Sequence, residues 1–223
     1  MLHIEYIHHS CFAVRGEGFL LVYDWWRDPT GRLGALLRAA GEANLDVYFV
    51  VSHFHEDHFN PEVVALCAGR PGWHLLPSYD TVRRRHIDKT LPLAVLRFGE
   101  EVATPHFRLK AYRSTDVGVS TVVELSDGTT LYHAGDNNNW YFPGGGKDAG
   151  RVKVTPDQME KLYLSILRDI RQDYPRIDHA FLPVDPRLGQ EMLRGPQQLL
   201  KAIAVGHVHP MHYAMFLADA QAE

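Results

Sequence analysis

The stretch His53-Phe54-His55-Glu56-Asp57-His58 directly follows the apolar run Val47-Tyr48-Phe49-Val50-Val51. The run ends at Ser52, a pattern that predicts a buried strand opening into a loop. Such a loop can direct alternate side chains toward one point. Imidazole nitrogens and carboxylate oxygens are ligands that zinc and its first-row neighbours accept. We therefore interpret this stretch as a metal-binding loop at the end of a core strand, and it constrains the fold more than any other part of the chain.

The spacing within the loop suggests two metal positions. His53 and His55 lie two residues apart and can share one ion, whereas Asp57 and His58 are placed to face a second ion beside it. The alternative is a chance cluster in a chain that contains 14 histidines.

Composition is compatible with one domain over residues 1–223. The chain has 223 residues with 45% hydrophobic content, enough for one substantial core. It lacks an apolar run near the roughly 18 residues of a membrane span, and its N-terminus does not resemble a signal peptide. Cys11 and Cys67 are too few for a disulfide scaffold, so a cytoplasmic location is expected. The net charge of −4 disfavours a general nucleic-acid binder but leaves open a nuclease with a local basic rim. The expected partner is a small-molecule substrate, and the oligomeric state stays open.

Hydrophobic patterning predicts strand clusters interrupted by helices, repeated in two halves. Strands are predicted over residues 2–8, 11–15, 19–23, 46–51, 73–76, 92–97, 107–112, 121–125, 129–134, 177–182 and 202–208, and helices over residues 31–40, 61–68, 156–172 and 213–220. This order suits two sheets packed together with helices outside.

Four segments together resemble the metallo-β-lactamase superfamily of metal-dependent hydrolases. The His-x-His-x-Asp-His pattern after a hydrophobic strand is similar to its signature. The segments Leu21-Val22-Tyr23-Asp24, Tyr132-His133-Ala134-Gly135-Asp136 and Pro210-Met211-His212-Tyr213 are similar to later parts of its site, in the same order. His9-Ser10 stands where relatives of the ascorbate-6-phosphate lactonase branch carry His-Ser. The resemblance implies a four-layer αββα sandwich of two mixed β-sheets.

The resemblance also implies roles for distant residues. Asp136 would bridge two ions, and His212 would complete the second position; Asp136 as a plain turn residue, or His207 or His209 in place of His212, are the alternatives. Asp57 could take a proton during catalysis. The expected cofactor is zinc, as one or two ions, with manganese or iron possible depending on supply. Such a centre lowers the pKa of bound water to roughly 7.

Three further residues are interpreted as supports of the site. Asp24, at the end of an early strand, is expected to hold the second ring nitrogen of a ligand histidine, or alternatively to cap the turn after that strand. His9 is expected either to line the pocket or to be a strand histidine with a purely structural role, and His133 is expected to support the site by hydrogen bonding.

One departure from the superfamily concerns the third histidine of the first metal position. The corresponding region reads Tyr112-Arg113-Ser114-Thr115-Asp116 and has no histidine. Asp116 or Ser114 could contribute instead, or the first position could be weak, leaving one ion. Alternatively, Arg113 could place a fixed cation there or bind an anionic substrate group, since guanidinium suits phosphate and carboxylate.

Two further candidate substrate contacts follow predicted strands. Trp140 belongs to the loop at residues 137–146, which suits either a lid over an organic substrate or an ordinary long surface loop. Arg187 could contact an anion, or be a solvated or salt-bridged surface residue. The predicted function is hydrolysis of a small, anionic ester or lactone. The alternatives are a phosphodiesterase or nuclease of the same fold, and a non-catalytic metal- or metabolite-binding protein with a degraded first metal position.

Overall fold

The computed structural model of the chain describes residues 2–91, 93–142 and 154–214. Within those residues, the first of two β-sheets has five strands in the order β1-β2-β3-β4-β5. These strands are β1 His3–His8, β2 Cys11–Arg15, β3 Phe19–Tyr23, β4 Asp46–Val51 and β5 Trp73–Pro77. β1, β2 and β3 pair antiparallel, whereas β3, β4 and β5 pair parallel.

The second sheet has six strands in the order β11-β10-β9-β8-β7-β6. These strands are β6 Glu101–Ala103, β7 Phe107–Arg113, β8 Val119–Leu125, β9 Thr130–His133, β10 Arg176–Pro183 and β11 Ala204–Met211. The strands from β6 to β9 pair antiparallel, and β9, β10 and β11 pair parallel. Both sheets are therefore mixed.

Helices cover the outer faces of the two sheets. They are α1 Arg32–Glu42, α2 Glu62–Ala68, α3 Tyr79–Arg84, α4 Pro156–Asp173 and α5 Arg194–Ala202. Leu33 of α1 and Val63 of α2 pack with buried residues of the first sheet. Ile166 of α4 and Leu199 of α5 pack with buried residues of the second sheet. The predicted αββα sandwich of two mixed sheets is confirmed.

The position of strand β3 in the sandwich explains why its sequence is apolar throughout. Successive side chains of a strand point to opposite faces of the sheet. Leu21 joins the cluster that contains Val122 and Phe181 of the second sheet, whereas Leu20 and Val22 join the cluster beneath α1 and α2. Both faces of the strand are buried, so no polar position remains until the chain emerges at its end.

The longest described helix, α4, begins where the sequence predicts. Thr155 forms a capping box with Gln158, and Pro156 occupies the first turn, where its missing N–H costs no hydrogen bond. Its apolar stripe is buried at Met159, Tyr163, Ile166, Leu167 and Ile170. None of the described helices combines the length and the apolar character needed to cross a membrane.

Several predicted elements differ from the structure. Of the strand predicted over residues 92–97, the described residues 93–97 make only the isolated bridges Leu75↔Leu93 and Ser78↔Leu96. The last strand begins at Ala204 because Ala202 still belongs to α5, an unpredicted helix. Helix α3 and strand β6 were likewise unpredicted. Of the helix predicted over residues 213–220, residues 215–220 lie outside the described residues.

Candidate metal centre

The predicted ligand side chains lie together at one edge of the sandwich. The loop after β4 comes from the first sheet, and the segments that follow β9 and β11 come from the second. Because the carboxyl ends of these strands meet at this edge, residues far apart in sequence become neighbours. The six predicted ligands all belong to this group: His53, His55, Asp57, His58, Asp136 and His212.

Four of these side chains form what we call the inner cluster: Asp57, His58, Asp136 and His212. Nε2 of His58 lies 3.1 Å and Nε2 of His212 lies 3.2 Å from Oδ1 of Asp136. Oδ2 of Asp57 lies 3.6 Å from Nε2 of His58 and 3.5 Å from Nε2 of His212. Two imidazoles and two carboxylates thus face one point.

A second group, which we call the outer cluster, consists of His53, His55, Asp116 and Asp136. Nε2 of His53 lies 3.0 Å from Nδ1 of His55 and 3.6 Å from Oδ2 of Asp136. Nδ1 of His55 lies 3.4 Å from Oδ2 of Asp116. Ligand atoms of all four residues lie within 4.8 Å of one another, a spacing that could hold a metal ion. Asp136 therefore presents one carboxylate oxygen to each cluster.

The inner cluster contains buried polar atoms that lack hydrogen bonds. Nε2 of His58, Nε2 of His212 and Oδ1 of Asp136 have no hydrogen-bond partner among the described residues. These atoms approach one another to 3.1 and 3.2 Å but do not meet in hydrogen-bond geometry. Leaving such groups unpaired in the interior is costly, and a cation between them would satisfy all three. The donor set therefore fits a metal ion.

The ring orientation of His58 and His53 is fixed from behind by one carboxylate. Nδ1 of His58 lies 2.7 Å from Oδ2 of Asp24, so its N–H points at the carboxylate and Nε2 is free to bind a metal. The hydroxyl of Ser52 donates to the same Asp24 at 2.6 Å, and Nδ1 of His53 lies 2.9 Å from that hydroxyl oxygen. The structure places Asp24 where the sequence suggests a support. Ser52 was not singled out, although its position between the strand and the motif was visible.

His212 has its own carboxylate support, which the sequence analysis missed. Its Nδ1 lies 2.9 Å from Oδ2 of the fully buried Asp185, at the end of the neighbouring strand β10. Arg187 donates to both oxygens of Asp185 over 2.6 to 3.0 Å, and its guanidinium lies 5.6 Å from the ring centre of Trp140. Arg187 therefore forms a salt bridge with a buried carboxylate, and its role as an anion contact stays a prediction. The segment Pro183-Val184-Asp185 carried the only signal, a carboxylate at a strand end.

The carboxylates control the charges of the inner histidines. Burial alone would lower the pKa of His58, but Asp136 and Asp24 outweigh burial and raise it to about 10. Burial would likewise lower the pKa of His212, yet Asp136 raises it well above its usual value. Burial would raise the pKa of Asp136, but the two imidazoles hold it well below its usual value. In contrast, burial and the neighbouring charge of His58 lower the pKa of His53 to about 3.

His9 contacts the inner cluster from the side. It is fully buried, and its Nε2 lies 3.2 Å from Oδ2 of Asp57. Its ring centre lies 4.3 Å from that of His212, and its backbone carbonyl accepts a hydrogen bond from the His212 N–H at 3.1 Å. Burial lowers the pKa of His9 to about 4, which keeps the imidazole neutral at pH 7. His9 therefore holds two of the candidate ligands.

His133 supports the segment that carries Asp136 and does not face either cluster point directly. Its Nε2 lies 3.0 Å from the carbonyl of Ser10, and its Nδ1 accepts the N–H of Gly135 at 3.2 Å. Its ring stacks on Tyr23 at 4.5 Å. These contacts fix the turn from β9 to Asp136. Gly135 has a φ of 53°, and a Cβ atom added there would lie only 2.7 Å from Cβ of Ser52, so a larger residue would displace this turn.

The predicted substrate contacts Arg113 and Trp140 lie in different environments, the first exposed and the second buried. Arg113 is exposed, and its guanidinium lies 5.9 Å from the ring centre of Phe98. In that segment it is the carboxylate of Asp116 that lies 3.4 Å from Nδ1 of His55, and a role for Arg113 toward an anionic substrate stays a prediction. Trp140 is buried and donates to the Asp136 carbonyl at 2.9 Å, and its ring centre lies 5.7 Å from that of His212. Residues 143–146 of the predicted lid lie outside the described residues.

Two arginines at the rim were missed by the sequence analysis. The ring of Phe54 lies 4.7 Å from that of His55, and the Arg84 guanidinium lies 5.5 Å from Phe54. Nε of Arg85 donates to the Phe54 carbonyl at 2.8 Å. Both arginines are exposed and come from the end of α3, so they place positive charge beside the outer cluster.

Solved structures similar to this one supply the remaining evidence on the fold. No protein-family model matches this chain, and no curated protein matches it either. Igni18, a novel metallo hydrolase from the hyperthermophilic archaeon Ignicoccus hospitalis, is similar with a TM-score of 0.66 and 19% identity, over 97% of this chain and 84% of that one. The metallo-β-lactamase fold protein YhfI from Bacillus subtilis has a TM-score of 0.58 and 11% identity, over 92% of this chain and 78% of that one. The chain has the metallo-β-lactamase fold.

A third similar structure shows why the fold leaves the reaction open. CmlA, a diiron β-hydroxylase from Streptomyces venezuelae, has a TM-score of 0.58 and 12% identity, over 95% of this chain but 44% of that one. The metallo-β-lactamase fold thus occurs in proteins described as a hydrolase and as a hydroxylase. At these identities the similarity establishes the fold alone, so the reaction must be argued from the site.

Proposed function

We propose that this protein is a metal-dependent hydrolase acting on a small, anionic ester or lactone in the cytoplasm. The observation that carries the proposal is the set of buried ligand atoms on His58, His212 and Asp136, which lie 3.1 and 3.2 Å apart without hydrogen bonds among the described residues. A structural core would satisfy these atoms with hydrogen bonds, whereas a metal centre requires them free.

The inner and outer clusters would hold the metal, with Asp136 shared between them. The proposed ligands are His53, His55, Asp57, His58, Asp136 and His212, and zinc is the expected ion, with manganese or iron as substitutes. A metal bound there would lower the pKa of a water molecule to roughly 7 and polarise the substrate oxygen.

Asp57 is the proposed catalytic residue. Its side chain is 19% exposed, whereas those of Asp136, His58 and His212 are 9%, 0% and 1% exposed, so it is the most accessible residue of the inner cluster. His9 holds Oδ2 of Asp57 at 3.2 Å and orients the carboxylate. Asp57 would accept a proton as water attacks, because a carboxylate within reach of the attacking water can serve as general base.

The preference for an anionic substrate rests on the rim. Arg84 and Arg85 are exposed beside Phe54, next to the half-exposed His55. Guanidinium groups suit carboxylate and phosphate. The preference for a lactone or other ester over a phosphodiester rests on the sequence resemblance to the ascorbate-6-phosphate lactonase branch.

A hydrolysis panel with zinc or manganese tests the proposal. Lactones, carboxylic esters, bis-p-nitrophenyl phosphate and single-stranded nucleic acid serve as substrates, with Asp57→Ala and His55→Ala as variants. His3→Ala is a matched control, because that imidazole is 67% exposed and outside both clusters. We expect turnover that both site variants lose and the control keeps.

Other outcomes would redirect the assignment. Turnover that is unchanged in both site variants would mean that another site or a contaminant acts. Turnover of the phosphodiester alone would favour a phosphodiesterase. Tight metabolite binding without turnover would favour a non-catalytic binding protein.

A further inference from the structure

We propose that Asp116 takes the place of the missing third histidine as a ligand of the outer metal position, and that this position fills only after the inner one. This inference rests on the proposed metal-dependent function and adds an order of loading to it.

The geometry singles out Asp116 within its segment. Its Oδ2 lies 3.4 Å from Nδ1 of His55, and its ligand atom falls within 4.8 Å of those of His53 and Asp136. Ser114, the other residue considered, directs its hydroxyl at the backbone instead, since Oγ accepts the N–H of Asp116 at 3.2 Å. Asp116 therefore completes a four-ligand set that Ser114 does not join.

The two clusters differ in how firmly their imidazoles are held. Behind His58 and His212 stand the buried carboxylates of Asp24 and Asp185, at 2.7 and 2.9 Å. In the outer cluster, the second ring nitrogen of His55 has no hydrogen bond among residues 2–91, 93–142 and 154–214. Loss of a partner that orients a ligand typically costs 10–100-fold in metal affinity.

The solvent exposure of the side chains also predicts weaker metal binding at the outer cluster than at the inner one. The side chains of His55 and Asp116 are 40% and 35% exposed, whereas those of His58 and His212 are 0% and 1% exposed. Exposed ligands must lose more rotamer freedom when they bind an ion, and water competes for the ion. Both effects weaken the outer position relative to the inner one.

Asp116 also changes which ion the outer position prefers. A carboxylate oxygen is a harder ligand than the imidazole nitrogen it replaces, so it favours manganese more than an imidazole would. Replacing Asp116 with histidine should therefore strengthen zinc binding at this position and weaken its relative preference for manganese.

Calorimetric titration of the metal-free full chain with zinc or with manganese tests the proposal, with bound metal counted by elemental analysis. We expect two equivalents, the second at least about tenfold weaker than the first. Asp116→Ala and the near-isosteric Asp116→Asn should weaken the second equivalent by a further tenfold or more and leave the first unchanged. Asp116→His should tighten the second equivalent for zinc. Glu56→Ala is the matched control, since Glu56 is an exposed carboxylate in the loop after β4, next to His55, and belongs to neither cluster.

The outcomes separate this inference from the proposed function. Two equivalents of equal affinity, or a second equivalent that persists unchanged in both Asp116→Ala and Asp116→Asn, would overturn the inference and leave the metal centre intact. A single equivalent in the wild type would also overturn it. Absence of any bound metal would overturn the proposed function as well. Circular dichroism of each variant establishes that the fold is retained.

Discussion

The inner and outer clusters share Asp136 and use the same kinds of donor, yet they differ in what stands behind the donors. In the inner cluster Nδ1 of each imidazole lies within hydrogen-bond distance of a buried carboxylate, that of Asp24 or Asp185. In the outer cluster Nδ1 of His53 lies 2.9 Å from the hydroxyl oxygen of Ser52, and Nδ1 of His55 lies near His53 and Asp116, with no carboxylate behind its ring among the described residues. The difference shows that ligand identity alone does not define a metal site, because the residues behind the ligands set its rigidity and affinity. Under the proposed function, the inner cluster would hold an ion more tightly, and the outer cluster, with His55 and Asp116 40% and 35% exposed, would be the more accessible one.

The substitution with the largest expected effect is at Asp136, the residue that the two clusters share. Asp136→Asn keeps the side-chain volume but removes the charge that faces both groups of histidines. We expect metal affinity to fall at both positions by more than the roughly 10–100-fold that loss of a supporting residue costs. Elemental analysis and calorimetric titration measure this loss. Retention of either equivalent at wild-type affinity would show that Asp136 does not bridge the clusters.

Replacing the carboxylate that holds His212 should weaken metal binding at the inner cluster and leave the outer cluster unaffected. Asp185→Ala removes the carboxylate that holds Nδ1 of His212 and pairs with Arg187. We expect the first metal equivalent to weaken by about 10–100-fold while the second keeps its own affinity. Asp185→Asn should recover part of the loss, since its amide oxygen can still accept from the imidazole.

A remote pair of the same type serves as the control for that experiment. Asp46 lies 2.9 Å from Nε2 of His106, in a carboxylate–imidazole pair outside both clusters. Asp46→Ala should leave both metal equivalents unchanged. If Asp185→Ala behaves like Asp46→Ala, the support behind His212 has no bearing on metal binding.

The sequence predicted those parts of the site that depend on local spacing. The motif from His53 to His58 is contiguous, so its loop could be recognised without tertiary information. Ser52 and Asp185 look like ordinary strand-end residues, and only the adjacency of β4 to β3 and of β10 to β11 reveals their partners. Arg84 remained hidden because it belongs to α3, whose short sequence carries little periodicity.

Asp116 illustrates a different limit of sequence reasoning. The segment after β7 offered two candidate donors, Ser114 and Asp116, at neighbouring positions of a loop. Spacing cannot decide which of them turns toward the metal, because loop conformation depends on tertiary contacts. Here Thr115 is buried and hydrogen-bonded to the backbone of Asn138, which fixes the loop and leaves Asp116 facing His55.

The pH dependence of stability should also distinguish the clusters. In the metal-free protein the pKa of His58 is raised to about 10, above its unfolded value of 6.5, so the protonated imidazole stabilises the fold. That stabilisation is complete below about pH 6.5 and is lost as the pH rises toward 10. Metal binding to the inner cluster must displace this proton, so the metal's own contribution should increase over the same range. His53, with its pKa near 3, has no proton to lose.

Thermal unfolding from pH 6.5 to 9.5, with and without chelator, measures this contrast. The metal-free protein should lose stability as the pH rises, and the difference between the metal-bound and metal-free proteins should widen. Titration in buffers of different ionisation enthalpy should show more protons released by the first metal equivalent than by the second. Equal proton release by both equivalents would contradict the assignment of the first to the inner cluster.

The smallest expected effect concerns the open side of the outer cluster. Arg84 and Arg85 lie beside Phe54, so a substrate that approaches over His55 should meet their charge before it reaches Asp57. Because both arginines are exposed, each is expected to contribute about 0.2–1 kcal/mol, or up to roughly fivefold in KM. Arg84→Ala should therefore raise KM for an anionic ester several-fold at low salt, leave kcat nearly unchanged, and have little effect on a neutral ester. The difference between the KM changes for the anionic and the neutral ester should shrink at about 1 M salt, where the Debye length is about 3 Å.

Arg83→Ala is the control, because Arg83 is an exposed arginine of the same helix with no described contact to Phe54. An equal KM change for neutral and anionic esters would mean that Arg84 acts by packing on Phe54, and that substrate charge is recognised elsewhere.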